Sequence, residues 1–268
     1  MERPWYLGDE FSSAFQDRDV ARSYRHRLPY PPALFDWLLD LMAPGPRVVL
    51  DVGCGRGELA RPLAPRVARG DALDVSGEMV EEGRRAPGGD APNLRWIVGR
   101  AEDAPLDPLY ALVVGGQSLH WMDWRVVLPR LRDVLLPGAY LAIADAKRPP
   151  LPWSGALAAI IQRYSTNPNY VPYDMLAAWA TAGLWVEVGR RSSPPTPFRQ
   201  TVDDFLDAQH SLSTVSRSRL GPARTAAFDA EVRALVGPHA GSDGTLAIPV
   251  VGRVVWGRLL RPDRGEAG

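Results

Sequence analysis

Apolar positions change period along this chain, and the changes mark its elements. Val48, Val49 and Leu50 form a short run that ends at an acid, Asp51. Three glycines follow at alternate positions, Gly53, Gly55 and Gly57, and then a segment of helical spacing (Leu59, Ala60, Leu63, Ala64). A β-branched run, a glycine cluster and a 3.6-residue period predict a buried strand, a tight turn and a helix start. The alternation repeats. Short strands are predicted over Gly70 to Ser76, Leu94 to Val98 and Tyr110 to Val114, with a helix over Arg125 to Leu135. Ser76 caps a helix carrying Glu78 and Met79 in its first turn. Pro137-Gly138 then turns the chain into a fifth strand. Later, Trp185 to Gly189 and Leu246 to Leu259 read as two more strands. Strands alternating with helices predict an α/β fold built on a mostly parallel sheet.

The glycine spacing restricts the ligand. A dinucleotide turn reads G-x-G-x-x-G, which would place a third glycine at position 58. That position is Glu58, and the third glycine comes one residue early. Asp51 and Glu58 flanking the turn disfavour a pyrophosphate and favour a cationic ligand with an amino-acid end. Asp74 closes the second strand about 20 residues past the turn, the spacing at which an acid in doubly wound folds meets ribose hydroxyls.

With these residues in place, Asp51 to Gly57 resembles motif I of the class I S-adenosylmethionine-dependent methyltransferases. The acid and cap at Asp74 to Met79 are similar to the next family motif. Gly99-Arg100-Ala101-Glu102-Asp103-Ala104-Pro105-Leu106 resembles the loop whose alanine N–H and neighbouring acid contact adenine. Arg100 departs from the acid that many members carry there. Leu119-His120-Trp121, followed by Leu136-Pro137-Gly138-Ala139-Tyr140-Leu141, resembles the subgroup that includes trans-aconitate methyltransferase. The four motifs occur in family order over roughly residues 15 to 145. The resemblance implies a Rossmann-like seven-stranded sheet with helices on both faces, the last strand antiparallel, and helical cap insertions. It also implies S-adenosylmethionine as cofactor, S-adenosylhomocysteine as product, and a small-molecule acceptor. Cofactor contacts are expected from Asp51, Gly53, Cys54, Gly55, Asp74, Val75, Met79, Ala101, Glu102 and Gln117. Tyr24 and Arg27, in an arm folded over the cofactor, are expected near its methionine carboxylate. No metal ligand is expected.

Composition narrows the function classes. Formal net charge is zero, so no general attraction to nucleic acid or anionic membrane is expected. Cys54 is the sole cysteine, which excludes an intrachain disulfide, and it reads as a small filler of the turn. No stretch approaches the ~20 apolar residues of a membrane span, and Met1 to Phe11 lacks a signal-peptide core. A cytoplasmic enzyme is the expectation.

At 268 residues the chain is read as one domain: a helical arm over 1–45, a cofactor-binding core over 46–145, and cap segments over 149–183 and 196–241. The first cap segment carries Trp153, Tyr164, Tyr170, Tyr173 and Trp179. The second opens at Thr201 with Asp204 at the capping-box position. Leu206, Phe228, Val232 and Leu235 recur in it at helical spacing and read as core packing. The tail after Pro262 is expected to fray. His120 is the candidate proton acceptor, beside Trp121 at the carboxyl edge of the sheet. Two other readings stay open: an S-adenosylmethionine-binding cyclase, decarboxylase or pericyclase that transfers no methyl, and a non-catalytic cofactor-binding subunit.

Overall fold

The computed structural model describes residues 13–167 and 173–261. The expectations for Met1 to Phe11, Tyr170 and the tail after Pro262 lie outside the described residues. The strands are β1 (Val48–Val52), β2 (Arg69–Asp74), β3 (Leu94–Val98), β4 (Tyr110–Gly116), β5 (Leu135–Lys147), β6 (Trp185–Ser192), β7 (Thr196–Thr201) and β8 (Thr245–Leu259). They form one sheet in the order β3-β2-β1-β4-β5-β8-β6, with β7 paired to β8 beside this path. β1 to β5 are mutually parallel, and β8 runs antiparallel to both β5 and β6. The path has the expected seven strands with the last one antiparallel; the eighth, β7, is an addition.

Burial follows position in the sheet. β4, at its centre, is buried along nearly its whole length, and β1 is buried past its first residue. This is the continuous apolar pattern of strands covered on both faces. The helices are α1 (Arg18–Ser23), α2 (Pro32–Asp40), α3 (Ala60–Leu63), α4 (Gly77–Arg85) and α5 (Trp124–Val134). Beyond β5 come α6 (Ser154–Tyr164), α7 (Met175–Thr181), α8 (Val202–His210) and α9 (Arg217–Val236). Side-chain caps fix several starts. Ser76 Oγ accepts from the Met79 N–H, Asp123 from Arg125, Asp174 from Ala177 and Thr201 from Asp204.

The sheet and the cap have separate cores. Leu50, Val113, Leu128, Leu131 and Leu141 pack on one sheet face, and Leu34, Leu38, Leu63, Leu112 and Val254 on the other. A further cluster joins Trp153, Leu157, Phe205, Leu206, Phe228, Val232, Leu246 and Ile248, with Leu235 against it. Leu206, Phe228 and Val232 are therefore core residues, now of the cap.

The cap boundaries differ from the sequence reading in two places. Segment 149–183 divides: Trp153 and α6 pack in the cap, whereas α7 puts Trp179 against Trp185 in the core under β6. In segment 196–241 the helix starts at its Thr201 cap as expected, but it is preceded by β7, which pairs with the first half of β8 from Thr196↔Val250 to Thr201↔Thr245. An edge strand tolerates Pro197 on its unpaired side. Among the described residues no helix is long and apolar enough to cross a membrane.

Candidate functional site

The strand order reverses between β1 and β4, so their connections leave in opposite directions and open a crevice at the carboxyl ends. Two cavities lie there, of about 300 and 290 Å³. Both are in the range of small-molecule sites. They share Tyr24, Arg27, Gly53, Gly116 and Gln117 as common wall.

The first cavity is lined by Gly53 and Gly55 of the turn, by Asp74 at the end of β2 with Val75 and Met79 after it, and by Gly99 to Glu102. Phe15, Trp121 and Met122 also line it, with the Phe15 and Trp121 rings edge to face at 5.5 Å. The Asp74 carboxylate accepts the Gly55 N–H at 2.7 Å and the Ser76 N–H at 2.8 Å. Burial still raises its pKa. Each carboxylate oxygen has a second lone pair for a ligand hydroxyl. Glu102 accepts the Asp123 N–H at 2.9 Å and pairs with Arg100 at 3.6 Å. It thereby ties the loop to the start of α5, and Arg100 sits on the acid expected to read adenine.

Three glycines at alternate positions serve three different neighbours. All have positive φ. A Cβ at Gly53 would lie 2.4 Å from Ser118 Cβ and 2.8 Å from Met122, and one at Gly57 would lie 2.6 Å from the Trp96 ring. A Cβ at Gly55 would meet only the Tyr24 ring at 3.7 Å and Glu58 at 3.9 Å, ordinary contact. Gly53 and Gly55 both line the first cavity, and Gly53 the second as well; a side chain at Gly53 or Gly57 would collide with packed neighbours, whereas at Gly55 the space beside the backbone is open.

The second cavity lies between the turn, the arm and the cap. Asp51, Cys54 and Glu58 line it, with Tyr30, Arg148, Ile161, Phe205 and Leu212 among the others. Asp51 is buried and lines this cavity, not the first. Its Oδ2 accepts the Ala60 N–H at 3.1 Å, but its Oδ1 and the Glu58 Oε2 are buried without a donor. Desolvation pushes Asp51 up to about 8 and raises Glu58. Glu58 is half-buried, and its Oε1 pairs with Arg56 at 3.5 Å and Arg61 at 3.4 Å; the donor-free Asp51 Oδ1 and Glu58 Oε2 leave two carboxylate oxygens at the turn that can receive a cation. Burial also raises the Cys54 thiol, which fits a filler and not a nucleophile.

The arm closes over both cavities. Arg27 stacks 4.0 Å above the Tyr24 ring and donates to Ser211 Oγ and Ser211 O, each at 2.8 Å, which ties the arm to the end of α8. Gln117 holds a left-handed backbone (φ 55°), and its amide donates to Asp145 at 2.9 Å. His120 lines neither cavity; its ring packs 5.0 Å from Trp121, which lines the first. The short 3-10 turn over Leu119–Trp121 presents Trp121 to the cavity and carries His120 off its wall. Phe15 lines the first cavity and Tyr30 and Glu58 the second, and Arg148 lines the second without having been expected there. Among the described residues no cluster of His, Cys, Asp and Glu is placed to hold a metal.

Residues 49–138 match the profile of a family described as "Methyltransferase domain". An uncharacterised methyltransferase of Mycobacterium tuberculosis is 36% identical over 141 residues, covering 52% of this chain and 55% of its own. A second from that organism is 38% identical over 132 residues, covering 44% and 60%. The chain spans about half the length of the curated relatives it matches. A solved structure described as a type II methyltransferase from Anaeromyxobacter dehalogenans superposes with a TM-score of 0.58 at 25% identity, covering 86% of this chain and 96% of that one.

Proposed function

We propose that this chain, whose residues 49–138 match a methyltransferase-domain profile, is a class I S-adenosylmethionine-dependent methyltransferase that methylates an O, N or C atom of a small molecule held in the second cavity. The observation that carries this reading is the common wall. A donor site and an acceptor site must meet at one point, and the two cavities meet at Gly53, Gly116 and Gln117.

The residues fit the cofactor. Asp74 has lone pairs for ribose hydroxyls, and Val75, Met79 and Ala101 line the space beside it. Asp51 and Glu58 offer unpaired carboxylate oxygens to an ammonium. Arg27, held flat on Tyr24, offers charge to a carboxylate. Trp121 offers a ring beside which a sulfonium is favoured. When bound, the cofactor supplies a methyl group already activated for in-line displacement. The protein's own task is alignment and exclusion of water, worth roughly 7–11 kcal/mol without a dedicated base. Phe15 and Tyr24 of the arm exclude water. The Gln117 backbone, strained at the junction and anchored through Asp145, keeps the common wall in place.

The test is calorimetric titration with S-adenosylmethionine, followed by an acceptor screen read by product mass. Saturable binding and a product heavier by one methyl are expected. A folded protein that does not bind, or turnover without methyl gain, removes the reading.

A further inference from the structure

The second cavity is electrically lopsided. At the glycine turn its wall carries two acids, Asp51 and Glu58. On the cap side it carries Arg148, one residue beyond β5. Arg148 makes no ion pair and no hydrogen bond among the described residues. Its contacts are with two rings, its guanidinium lying 4.9 Å from the Trp153 centroid and 5.5 Å from that of Phe205. Those rings belong to the cap core. Burial depresses its pKa, and no acid nearby opposes that. The other basic side chains on this wall have polar partners: His26 faces Asp204 and Asp207, and Arg27 is bonded to Ser211.

A half-buried guanidinium packed on two rings without a counter-charge gains nothing from its partial loss of water. Ring contacts hold its plane but cannot use its five N–H donors, which form a rigid fork matched to carboxylate and phosphate. Leu28, Ile161, Phe205 and Leu212 supply the apolar wall around it.

We infer that Arg148 binds an oxyanion, a carboxylate or phosphate, on the methyl acceptor. The acceptor is thus a small organic anion with an apolar body. The cofactor's ammonium occupies the acids at the turn, which leaves Arg148 as the cation on this wall open to an anion, so the acceptor enters with its anion toward Arg148 and its apolar body between that residue and the common wall. Arg148 is then the residue that sets acceptor class and orientation. The inference rests on the reading of the second cavity as the acceptor site.

The test uses the full chain saturated with S-adenosylhomocysteine, titrated calorimetrically with benzoate, phenyl phosphate and neutral benzamide. At least one anion is expected to bind tenfold or more tighter than benzamide, and the tighter of the two identifies the headgroup. Arg148→Met, which keeps the stem against Trp153, is expected to abolish that preference. Its thermal midpoint without ligand is expected to equal or exceed that of the parent, because an uncompensated charge is gone. Arg148→Lys is expected to restore part of the preference. Equal binding of the three probes, binding of none, or a preference that survives Arg148→Met overturns the inference. So does a lowered midpoint in Arg148→Met, which would make Arg148 a structural residue. If S-adenosylhomocysteine itself fails to bind, the cofactor assignment falls, and that result is read before any probe is added.

Discussion

Removing the Asp51 carboxylate, as in Asp51→Asn, tests how the turn receives the cofactor. Burial pushes this group up to about 8, so at pH 7 about nine-tenths of free protein carries a proton there. An ammonium beside the orphaned Oδ1 stabilises the ionised form, so binding must expel that proton. The α-amino group of the ligand, with a pKa near 7.7–8.0, takes up roughly 0.1 proton in becoming fully charged. Net release is therefore roughly 0.8 proton at pH 7. Removing it costs about 1.4 kcal/mol, a factor of ten in affinity. The sign is definite. Affinity for S-adenosylhomocysteine rises with pH, close to tenfold from about pH 6 to 7, and peaks near pH 8 where the ligand amine begins to lose its charge. In the ligand-free protein the same raised pKa works against the fold. Its contribution is most favourable below about pH 4, declines above that, and levels off beyond about pH 8. The assay is calorimetry at pH 7 in buffers of different ionisation enthalpy, with the parent and Asp51→Asn. The variant is expected to release no proton, to show a flat profile from pH 6 to 7, and to bind tenfold or more weakly. Buffer-independent heat in the parent, or equal proton release in the variant, would refute the reasoning.

Three further outcomes are expected. Gly53→Ala forces a Cβ to within 2.4 Å of Ser118 and should cost at least ~1–3 kcal/mol in urea unfolding, whereas Gly55→Arg should stay folded and lose S-adenosylmethionine binding by calorimetry. Asp74→Ala should weaken cofactor affinity about ten- to a hundredfold, and a 2′-deoxyribose analogue should be discriminated less by the variant than by the parent; equal discrimination removes Asp74 from the ribose site. His120→Ala should retain cofactor affinity and lose less than tenfold in kcat, because His120 lines neither cavity; a loss of a hundredfold or more would make it a proton acceptor.

What the sequence made legible was local. The run into Asp51, the capped helix at Ser76 and the apolar β4 each depend on residues a few positions apart. What it hid depends on distant neighbours. Alternate glycines look equivalent until Ser118, Met122 and Trp96 fill the space beside two of them. Trp179 belongs to the sheet core and Trp153 to the cap, although the two lie in one aromatic-rich segment. Arg148 had no motif to announce it, because its meaning is the lack of a partner. β7 was hidden by its proline and by a polar run with one face toward solvent.

β8 is paired on both sides and yet is the final strand among the described residues. Its second half is the neighbour of β5, whose Leu141 to Lys147 pair with Gly257 to Val251. During synthesis, β1 to β5 can assemble while that edge of β5 stays bare. It stays so while the intervening elements and most of the cap leave the ribosome. At about 5–20 residues per second, a gap of some hundred residues leaves the apolar edge open for roughly 5–20 s, long enough for another nascent chain to pair with it. Yield in cells should therefore depend on translation speed and chaperone supply upstream of β8 more than on the equilibrium stability of the finished fold.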